Sequence, residues 1–292
     1  MRIVLNALLL MISCWAAAQQ PVTSAMWSAN QQVMNPAMGL QDSSLLVGVN
    51  ARRQWMGFQG APQRAQVFFQ QAFNRMGAGV QAQSETFGAV SLSSVALNGA
   101  YRLPLSGSVL SVGLRLSGQR VAQQFSGLNL NDAGDPRFSQ NSEPAMFFNA
   151  GIGFHWRGER WMIYGMLPEL NSRRPADFFG PSYQQSDFLQ KQAPAAIGAE
   201  YRIGKPERLA CVLMTGVIRE YASSSDGVFS VELAFRQRVS AGFQYRHTHG
   251  QSGWVGVRVL KNLDLGVAYE GTRAGHSAIG TSELRILYHL RK

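Results

Sequence analysis

The residues that could carry out chemistry in this sequence are few and widely spaced. His247 and His249 lie two positions apart, so on a strand both imidazoles would project from one face, as in a metal-binding pair. Because no third ligand accompanies them, a solvated strand end explains them better. The segment 129–135 offers oxygen ligands but lacks the spacing of an EF-hand loop, so we interpret it as a polar turn.

Sequence motifs of catalysis and nucleotide binding are also missing. The chain contains no GxSxG, P-loop, HExxH or paired CxxC motif. The glycine pairs Gly77/Gly79 and Gly151/Gly153 lack the third glycine of a dinucleotide-binding fingerprint. They lie inside strand patterns, where close packing of neighbouring strands explains them. The sequence therefore predicts a protein that is not an enzyme, with no catalytic residue, cofactor or metal site.

Composition narrows the class of protein further. Charged residues make up 15% of the 292 residues, against roughly 25% in an average globular protein, while hydrophobic residues stay at 46%. The mean hydropathy of −0.10 and the lack of any apolar run of about 18 residues exclude a helical membrane protein. Aromatic residues, 10% of the chain, are spread along its length and argue against disorder.

The first 18 residues have the three parts of an export signal. Arg2 supplies the positive charge, residues 3–15 form an apolar stretch too short to span a membrane, and Ala16-Ala17-Ala18 forms a small-residue cleavage site. We therefore expect residues 1–18 to be removed and the mature chain to begin near Gln19. Cys14 would leave with the signal, and Cys211 alone cannot form an internal disulfide.

The rest of the chain alternates between apolar and polar residues with a period of two, which indicates β-strands. Between 263 and 270, for example, the odd positions hold Leu, Val and Tyr while the even positions hold Asp, Gly, Ala and Glu. Turn signals such as Asp226-Gly227 separate the runs and imply hairpins. We count about fourteen strands, near 44–52, 63–73, 75–83, 89–103, 108–120, 145–157, 160–167, 192–203, 208–219, 227–237, 238–247, 252–260, 263–271 and 281–291.

Strand length and charge placement favour a membrane barrel over a soluble sandwich. Most runs match the roughly 9 to 11 residues of a tilted membrane strand rather than the 5 to 6 of soluble strands. A sandwich core cannot hold charged residues, although the outer face of a sandwich could. Because closure removes exposed edges, the pattern predicts one transmembrane antiparallel β-barrel of about 14 strands over residues 44–292. The charged residues assigned to its lumen are Arg115, Glu200, Arg202, Glu232, Arg236, Arg246, Arg258, Asp264, Glu270, Glu283 and Arg285.

Two long insertions and one leading segment interrupt the hairpin pattern. Residues 123–144 and 168–190 are the predicted extracellular loops, and loops of that length usually carry function. Residues 19–43 lack strand alternation and contain Met26, Trp27 and further methionines. They are expected to form a short helix, an extended lid or a plug, and the sequence does not distinguish these.

The chain is basic, with a net charge of +10, or +9 once Arg2 leaves with the signal. Its arginines are distributed over strand faces and loops rather than clustered with aromatic residues on one element, so nucleic acid is not a predicted partner. An acidic partner protein or the anionic headgroups of outer-membrane lipid fit this charge better.

Five short segments occur in a fixed order along the chain. Asn35-Pro36-Ala37 comes first, followed by Ala51-Arg52-Arg53-Gln54-Trp55-Met56-Gly57-Phe58-Gln59-Gly60-Ala61-Pro62, Ala100-Tyr101-Arg102-Leu103-Pro104-Leu105, Asp135-Pro136-Arg137-Phe138 and Ser282-Glu283-Leu284-Arg285. In order and spacing they resemble the PorP/SprF family of type IX secretion membrane proteins, which carries N-P-A, R-x-Q-W-x-G with G-A-P, A-Y-R-x-P-L and D-P-x-F. The chain departs from the family in its Met-rich leader, where the family prefers Tyr and Phe.

This resemblance implies an outer-membrane barrel of Bacteroidota that serves type IX secretion, gliding motility or the surface attachment of secreted proteins. It also implies secreted or cell-surface proteins and other type IX secretion components as partners. A general diffusion or solute-uptake porin is the alternative, and a porin with this arginine-rich lumen would prefer anions.

The candidate partner-binding residues lie on the turn 52–62 and on the two long loops. Gly57 and Gly60 allow positive φ in that turn, and Trp55 and Phe58 are either aromatic-girdle residues or partner contacts. On the long loops arginine and aromatic side chains are preferred because they supply most interface energy. Alternatively, the aromatic loop residues fold back and constrict the barrel mouth. The loop candidates are Phe138, Arg173, Arg174, Phe178, Phe179 and Tyr183.

Overall fold

A computed structural model describes residues 24–38, 45–125, 141, 143–170, 194–219, 225–247, 250–272 and 280–290. Within them the chain forms one short helix and fourteen strands. None of these described residues belongs to a helix long and apolar enough to cross a membrane. The elements are α1 (Trp27–Met34), β1 (Leu45–Arg53), β2 (Gln63–Phe73), β3 (Met76–Phe87), β4 (Val90–Leu105), β5 (Ser108–Gln123), β6 (Ala145–Arg157), β7 (Trp161–Leu167), β8 (Ala195–Lys205), β9 (Leu209–Arg219), β10 (Ser225–Phe235), β11 (Val239–Arg246), β12 (Gly250–Leu260), β13 (Leu263–Thr272) and β14 (Gly280–Leu290).

The strands form one closed antiparallel barrel. Each strand is hydrogen-bonded to its neighbours in the chain, and β14 pairs with β1, which places Leu290 opposite Leu45 and Ser282 opposite Arg53. Closure gives every described strand a partner on both sides, so the barrel presents no open edge for aggregation. The predicted fold class, an all-β barrel of fourteen antiparallel strands, is confirmed.

Alternation along each strand separates a membrane-facing surface from the lumen. On β12, Val255 and Val257 are exposed at the outside, whereas Ser252 and Trp254 are buried inside. A continuous apolar outer surface is unfavourable in water but matches the hydrocarbon core of a bilayer. The alternation that the sequence shows is therefore the alternation between lipid and lumen.

Most predicted strand bounds agree with the structure, and β2 and β6 coincide with the runs 63–73 and 145–157. The run predicted at 227–237 is wrong at its end, because β10 stops at Phe235. Arg236 and Gln237 form the turn that follows, with φ of 51° and 53°. Arg236 is thus a turn residue and not, as predicted, part of a strand.

The two ends of the barrel differ in the length of their connections. At one end every hairpin connection has two or three residues: 74–75, 106–107, 158–160, 206–208, 236–238 and 261–262. The other end carries the turn 54–62 and the connections from β5 to β6 and from β7 to β8, which coincide with the two predicted insertions. Short turns of outer-membrane barrels face the periplasm and long loops face outward, so the short-turn end is periplasmic.

Candidate functional site

Residues 24–38, which we call the plug segment, lie inside the barrel. Met26, Trp27, Asn35 and Ala37 are each at most 1% exposed, although no strand hydrogen bond holds this segment. Its helix, α1, is only eight residues long, too short to be stable in water without tertiary contacts. The plug segment therefore depends on the lumen wall for its structure.

A buried carboxylate anchors the start of the plug segment. Glu283 of β14 accepts hydrogen bonds from the Ser24 hydroxyl at 2.7 Å, the Ala25 amide at 2.7 Å and the Asn30 side-chain amide at 2.6 Å. Arg52 of β1 donates to the same carboxylate at 3.1 Å and to Glu270 at 3.3 Å. Burying a charge is costly unless it is paired and hydrogen-bonded, and here donors surround both oxygens of Glu283. The anchor is thus a buried ion-pair network in which both oxygens of Glu283 are hydrogen-bonded, whereas Arg52 Nε has no hydrogen-bond partner among the residues that the structure describes.

Other strands of the lumen wall hold the helix through polar contacts. The backbone amide of Trp27 donates to Gln244 of β11 at 3.2 Å, and its indole donates to the Tyr164 hydroxyl of β7 at 3.2 Å. Gln70 of β2 donates to the Gln32 carbonyl at 2.8 Å, which satisfies an acceptor near the helix end. Contacts from β2, β7, β11 and β14 mean that α1 crosses the lumen.

Close packing fixes the end of the plug segment near the periplasmic half of the barrel. The Asn35 side chain donates to the Phe154 carbonyl at 3.0 Å. A Cβ at Gly153 would lie 2.1 Å from the Asn35 side-chain oxygen, and one at Gly113 would lie 2.4 Å from the Ala37 amide nitrogen. Glycine at both positions lets the plug segment approach the strands this closely.

An arginine and several apolar residues of the lumen also contact the plug segment. Arg115 of β5 donates to the Val33 carbonyl at 2.7 Å and to Asn98 at 2.8 Å. Val33 also packs with Phe68 and Leu287, which are apolar residues at lumen positions. A polar lumen normally lacks such residues, so their presence is explained by the plug segment that covers them. A second cluster around Trp27 includes Met38, Met162, Tyr164, Met166, Ala196, Met214, Ile218 and Val228.

The turn 54–62, which we call the rim loop, is held rigidly at the long-loop end. Gly57 and Gly60 adopt φ of 102° and 75°, as their sequence positions predicted. The rim loop is tied to both sides, because the Met56 amide donates to the Gly280 carbonyl and the Gly88 amide donates to the Gly60 carbonyl. These backbone hydrogen bonds fix the position of the rim loop relative to the start of β14 and to the turn between β3 and β4.

Two candidate partner-binding residues lie on this rim loop. Phe58 is 54% exposed at the loop, and Trp55 is half-buried with a φ of 47°. Positive φ is rare for a bulky residue and indicates that the surrounding structure imposes it. The geometry leaves both residues accessible, either to lipid headgroups as girdle residues or to a partner.

The other candidate residues belong to the long connections β5–β6 and β7–β8. The loop residues Phe138, Arg173, Arg174, Phe178, Phe179 and Tyr183 lie outside the described residues, as do His249 and the segment 129–135. His247 is exposed, and no group of three or more metal-ligating side chains occurs among the residues that the structure describes.

Three of the five sequence motifs of the resemblance meet at the plug segment. Arg52 and Glu283 come from its second and fifth motifs and are direct cross-strand partners on β1 and β14. Asn35, from the first motif, fixes the end of the plug segment. Sequence reasoning assigned Glu283, Glu270 and Arg115 to the lumen but missed Arg52 and every contact to residues 24–38. The period-two pattern was the available signal for Arg52, because it shares the lumen face of β1 with Asn50.

Comparison with known proteins decides the family. The family model described as type IX secretion system membrane protein PorP/SprF matches residues 16–288. The chain belongs to the PorP/SprF family. It is an outer-membrane barrel component of type IX secretion. No curated protein matches the chain.

Solved structures similar to this PorP/SprF protein are outer-membrane barrels. The Pseudomonas putida toluene transporter TodX is 8% identical, with 93% of this chain and 97% of that chain covered and a TM-score of 0.51. The outer-membrane protein Omp33 of Acinetobacter baumannii is 7% identical, with 85% and 98% covered and a TM-score of 0.48. At this identity the likeness to TodX shows the fold alone.

Proposed function

We propose that this PorP/SprF protein is a non-enzymatic docking component that supports the export and surface attachment of a secreted partner protein. The observation that carries the proposal is the plug segment inside the lumen. A barrel that conducts solutes needs an open path, whereas a barrel used for docking needs a rigid frame for its loops. The buried contacts of the plug segment make the barrel rigid, and the plug segment occupies space in the lumen that a solute path would need.

The ion pairs that anchor the plug segment are buried. Arg52, Glu270 and Glu283 are all at most 8% exposed at their side chains. Removing one partner from a buried ion pair typically costs about 3–5 kcal/mol, because an uncompensated charge remains. A plug held in this way supports docking over the alternative of a general diffusion porin.

The partner site of this proposal lies on the long-loop end, on the rim loop and the two long loops. Exposed aromatic side chains on a rigid loop lose little conformational freedom on binding, which favours Phe58 and Trp55 as contacts. Phe138, Arg173, Arg174, Phe178, Phe179 and Tyr183 extend the same surface in the proposal. The partners are a secreted or cell-surface protein, including one used in gliding motility, and other type IX secretion components.

Replacing residues 178–183 with a glycine-serine linker of equal length tests the docking site. The proposal expects a correctly assembled barrel that no longer retains or exports its partner, measured by secretome analysis and surface labelling of whole cells. A matched control replaces Gln184, Gln185 and Ser186 in the same loop with glycine and serine. Raised conductance with secretion intact would instead identify a constriction, and unchanged secretion and conductance would refute both assignments.

A further inference from the structure

Arginines are concentrated at the periplasmic end of the barrel. Six of them lie on six consecutive strands or their turns, from β7 to β12, and we call them the arginine arc. Its members are Arg160, Arg202, Arg208, Arg236, Arg238 and Arg258. The short turns 158–160, 206–208 and 236–238 supply four of the six, so the arc lies where the barrel opens to the periplasm.

The arc consists of three pairs of arginines that face each other across neighbouring strands. Each pair lies one position beyond the last paired residues of its two strands, in the same register. A backbone hydrogen bond joins the two arginines of each pair. Like charges directly opposite each other on neighbouring strands are destabilising. Three repeats of an unfavourable pair point to selection for positive charge rather than for stability. The bonds run from the Arg202 amide to the Arg160 carbonyl at 2.7 Å, from Arg236 to Arg208 at 2.8 Å and from Arg258 to Arg238 at 2.7 Å.

Most of the arc occupies the lumen side of the barrel wall. On β8, Arg202 shares its face with Ala196, which is buried inside the barrel, and on β12, Arg258 shares its face with Trp254. The same alternation places Arg160, Arg208 and Arg238 on the lumen side. The Arg236 guanidinium instead lies 5.1 Å from the ring centre of Phe235, which is exposed on the outer face, so Arg236 sits at the rim of the wall. Headgroups of the surrounding lipid lie against the opposite, outer face.

Acidic residues offset part of the positive charge of the arc, because Glu200 interacts with Arg202, and Glu159 and Glu207 share turns with Arg160 and Arg208. Arg258 is paired with Asp264 at 2.6 Å. The other five members are exposed, and none forms an ion pair with another residue that the structure describes. Such a surface attracts an anionic ligand.

The turn at Arg236 adds an independent sign of selection. Two successive turn positions with positive φ are best filled by Asn, Asp or Gly. Here they hold Arg236 and Gln237, with φ of 51° and 53°. A long charged side chain is kept where the backbone favours a small one, and such outliers cluster at binding sites.

We propose that the arginine arc binds an acidic segment of a periplasmic protein. Five inter-strand steps of about 4.8 Å give the arc a length of roughly 24 Å, which an extended peptide of about seven residues would cover. A small anion would engage only one pair. Since the plug segment crosses the lumen above the arc, we expect an entering acidic segment to bind there rather than pass through. This inference does not depend on partner docking at the long loops.

The proposal is tested by measuring the binding of fluorescein-labelled octaglutamate to the purified protein in detergent micelles. Fluorescence anisotropy reports the binding. We expect saturable binding that weakens with salt and a Kd raised about tenfold in R208Q/R236Q, because two arc charges are lost. The matched control R53Q/R120Q removes the same charge from exposed arginines at the long-loop end and should keep the Kd within about twofold. Heat-modifiable gel mobility verifies that both variants form folded barrels.

Equal loss of binding in the two variants, or no binding by the wild-type protein, would overturn the proposal. So would full displacement of octaglutamate by inorganic phosphate at equal charge, which would identify a small-anion site. Enrichment of phosphatidylglycerol around the wild-type protein but not R208Q/R236Q in nanodiscs, without octaglutamate binding, would assign the arc to lipid. None of these outcomes bears on secretion after replacement of residues 178–183, so the two proposals fail separately.

Discussion

At the scale of single residues, the lumen of this barrel contains side chains that each hold the plug segment in a different way. Glu283 gathers three donors from residues 24–30 and one from Arg52, while Arg115 caps the Val33 carbonyl. Gly113 and Gly153 contribute by having no side chain. Ion pairs, hydrogen bonds and close packing therefore all hold one short segment. Each kind of contact can be removed by its own substitution.

Neutralising the anchor carboxylate should weaken the plug segment. Glu283→Gln leaves Arg52 with Glu270 alone and loses charge-assisted bonds to Ser24 and Ala25, so we expect a loss of stability of about 3 kcal/mol. Urea unfolding in micelles measures it, and protease cleavage within residues 24–38 reports release of the plug. Glu85→Gln, which breaks the more exposed pair with Arg64, should cost less than about 1 kcal/mol. Similar losses in both variants would contradict the anchor role.

Adding one methyl group to the lumen wall should displace the end of the plug segment. The Cβ of Gly113→Ala would overlap the backbone of Pro36 and Ala37, and overpacking of this kind costs about 1–3 kcal/mol. Gly99→Ala is the control, because a Cβ there meets no atom within 4 Å. Thermal midpoints of the two variants, read by circular dichroism, provide the comparison; a midpoint for Gly113→Ala as high as that for Gly99→Ala would argue against tight contact.

At the scale of elements, the strands were predictable and the plug segment was not. The bounds of β2 and β6 follow from local alternation, which depends only on which face of a strand meets lipid. Leu287 breaks that alternation because it packs against Val33 and Phe68 inside the lumen. The pairing of Arg52 with Glu283 joins residues 231 positions apart, and only the register of the closed barrel reveals it. The long-loop candidates rest on residue type alone.

Charge insertion into the strands should distinguish the two faces of the wall. Val231 and Leu265 lie on the outer face of β10 and β13, whereas Ala234 lies on the lumen face. Val231→Arg or Leu265→Arg should destabilise the folded barrel in the membrane by about 2–4 kcal/mol if these positions lie near mid-bilayer. Ala234→Arg should destabilise it less, because its side chain faces the lumen. Heat-modifiable mobility of outer-membrane fractions gives the folded share of each variant. Equal tolerance at all three positions would count against the assignment of faces.

At the scale of the whole molecule, the barrel is divided into unlike ends by the plug segment across its lumen. Long loops and the rim loop face outward, while the arginine arc faces the periplasm. The two proposals above therefore assign different partners to the two ends, a secreted protein to the long-loop end and an acidic periplasmic segment to the arginine arc.

Deleting residues 24–38 should convert the barrel into a channel. The lumen would lose the helix that crosses it, and the remaining arginines should make the current anion-selective. Planar-bilayer recordings of the deletion variant and the full-length protein measure both properties. Adding R208Q and R236Q to the deletion should reduce the anion preference while leaving the channel open. A deletion variant that folds but conducts no more than the full-length protein would show that the plug segment is not what blocks the lumen.

The position of the anchor also has a consequence for biogenesis. Arg52 and Glu283 sit on the first and last strands, which are the two that must meet to complete the cylinder. Before that step Glu283 has no partner from β1, and Ser24 has no complete site to occupy. Closing the seam between β1 and β14 therefore also completes the ion-pair network at the site of Ser24. A barrel with an open seam should therefore leave residues 24–38 more accessible to proteases than they are in the closed barrel.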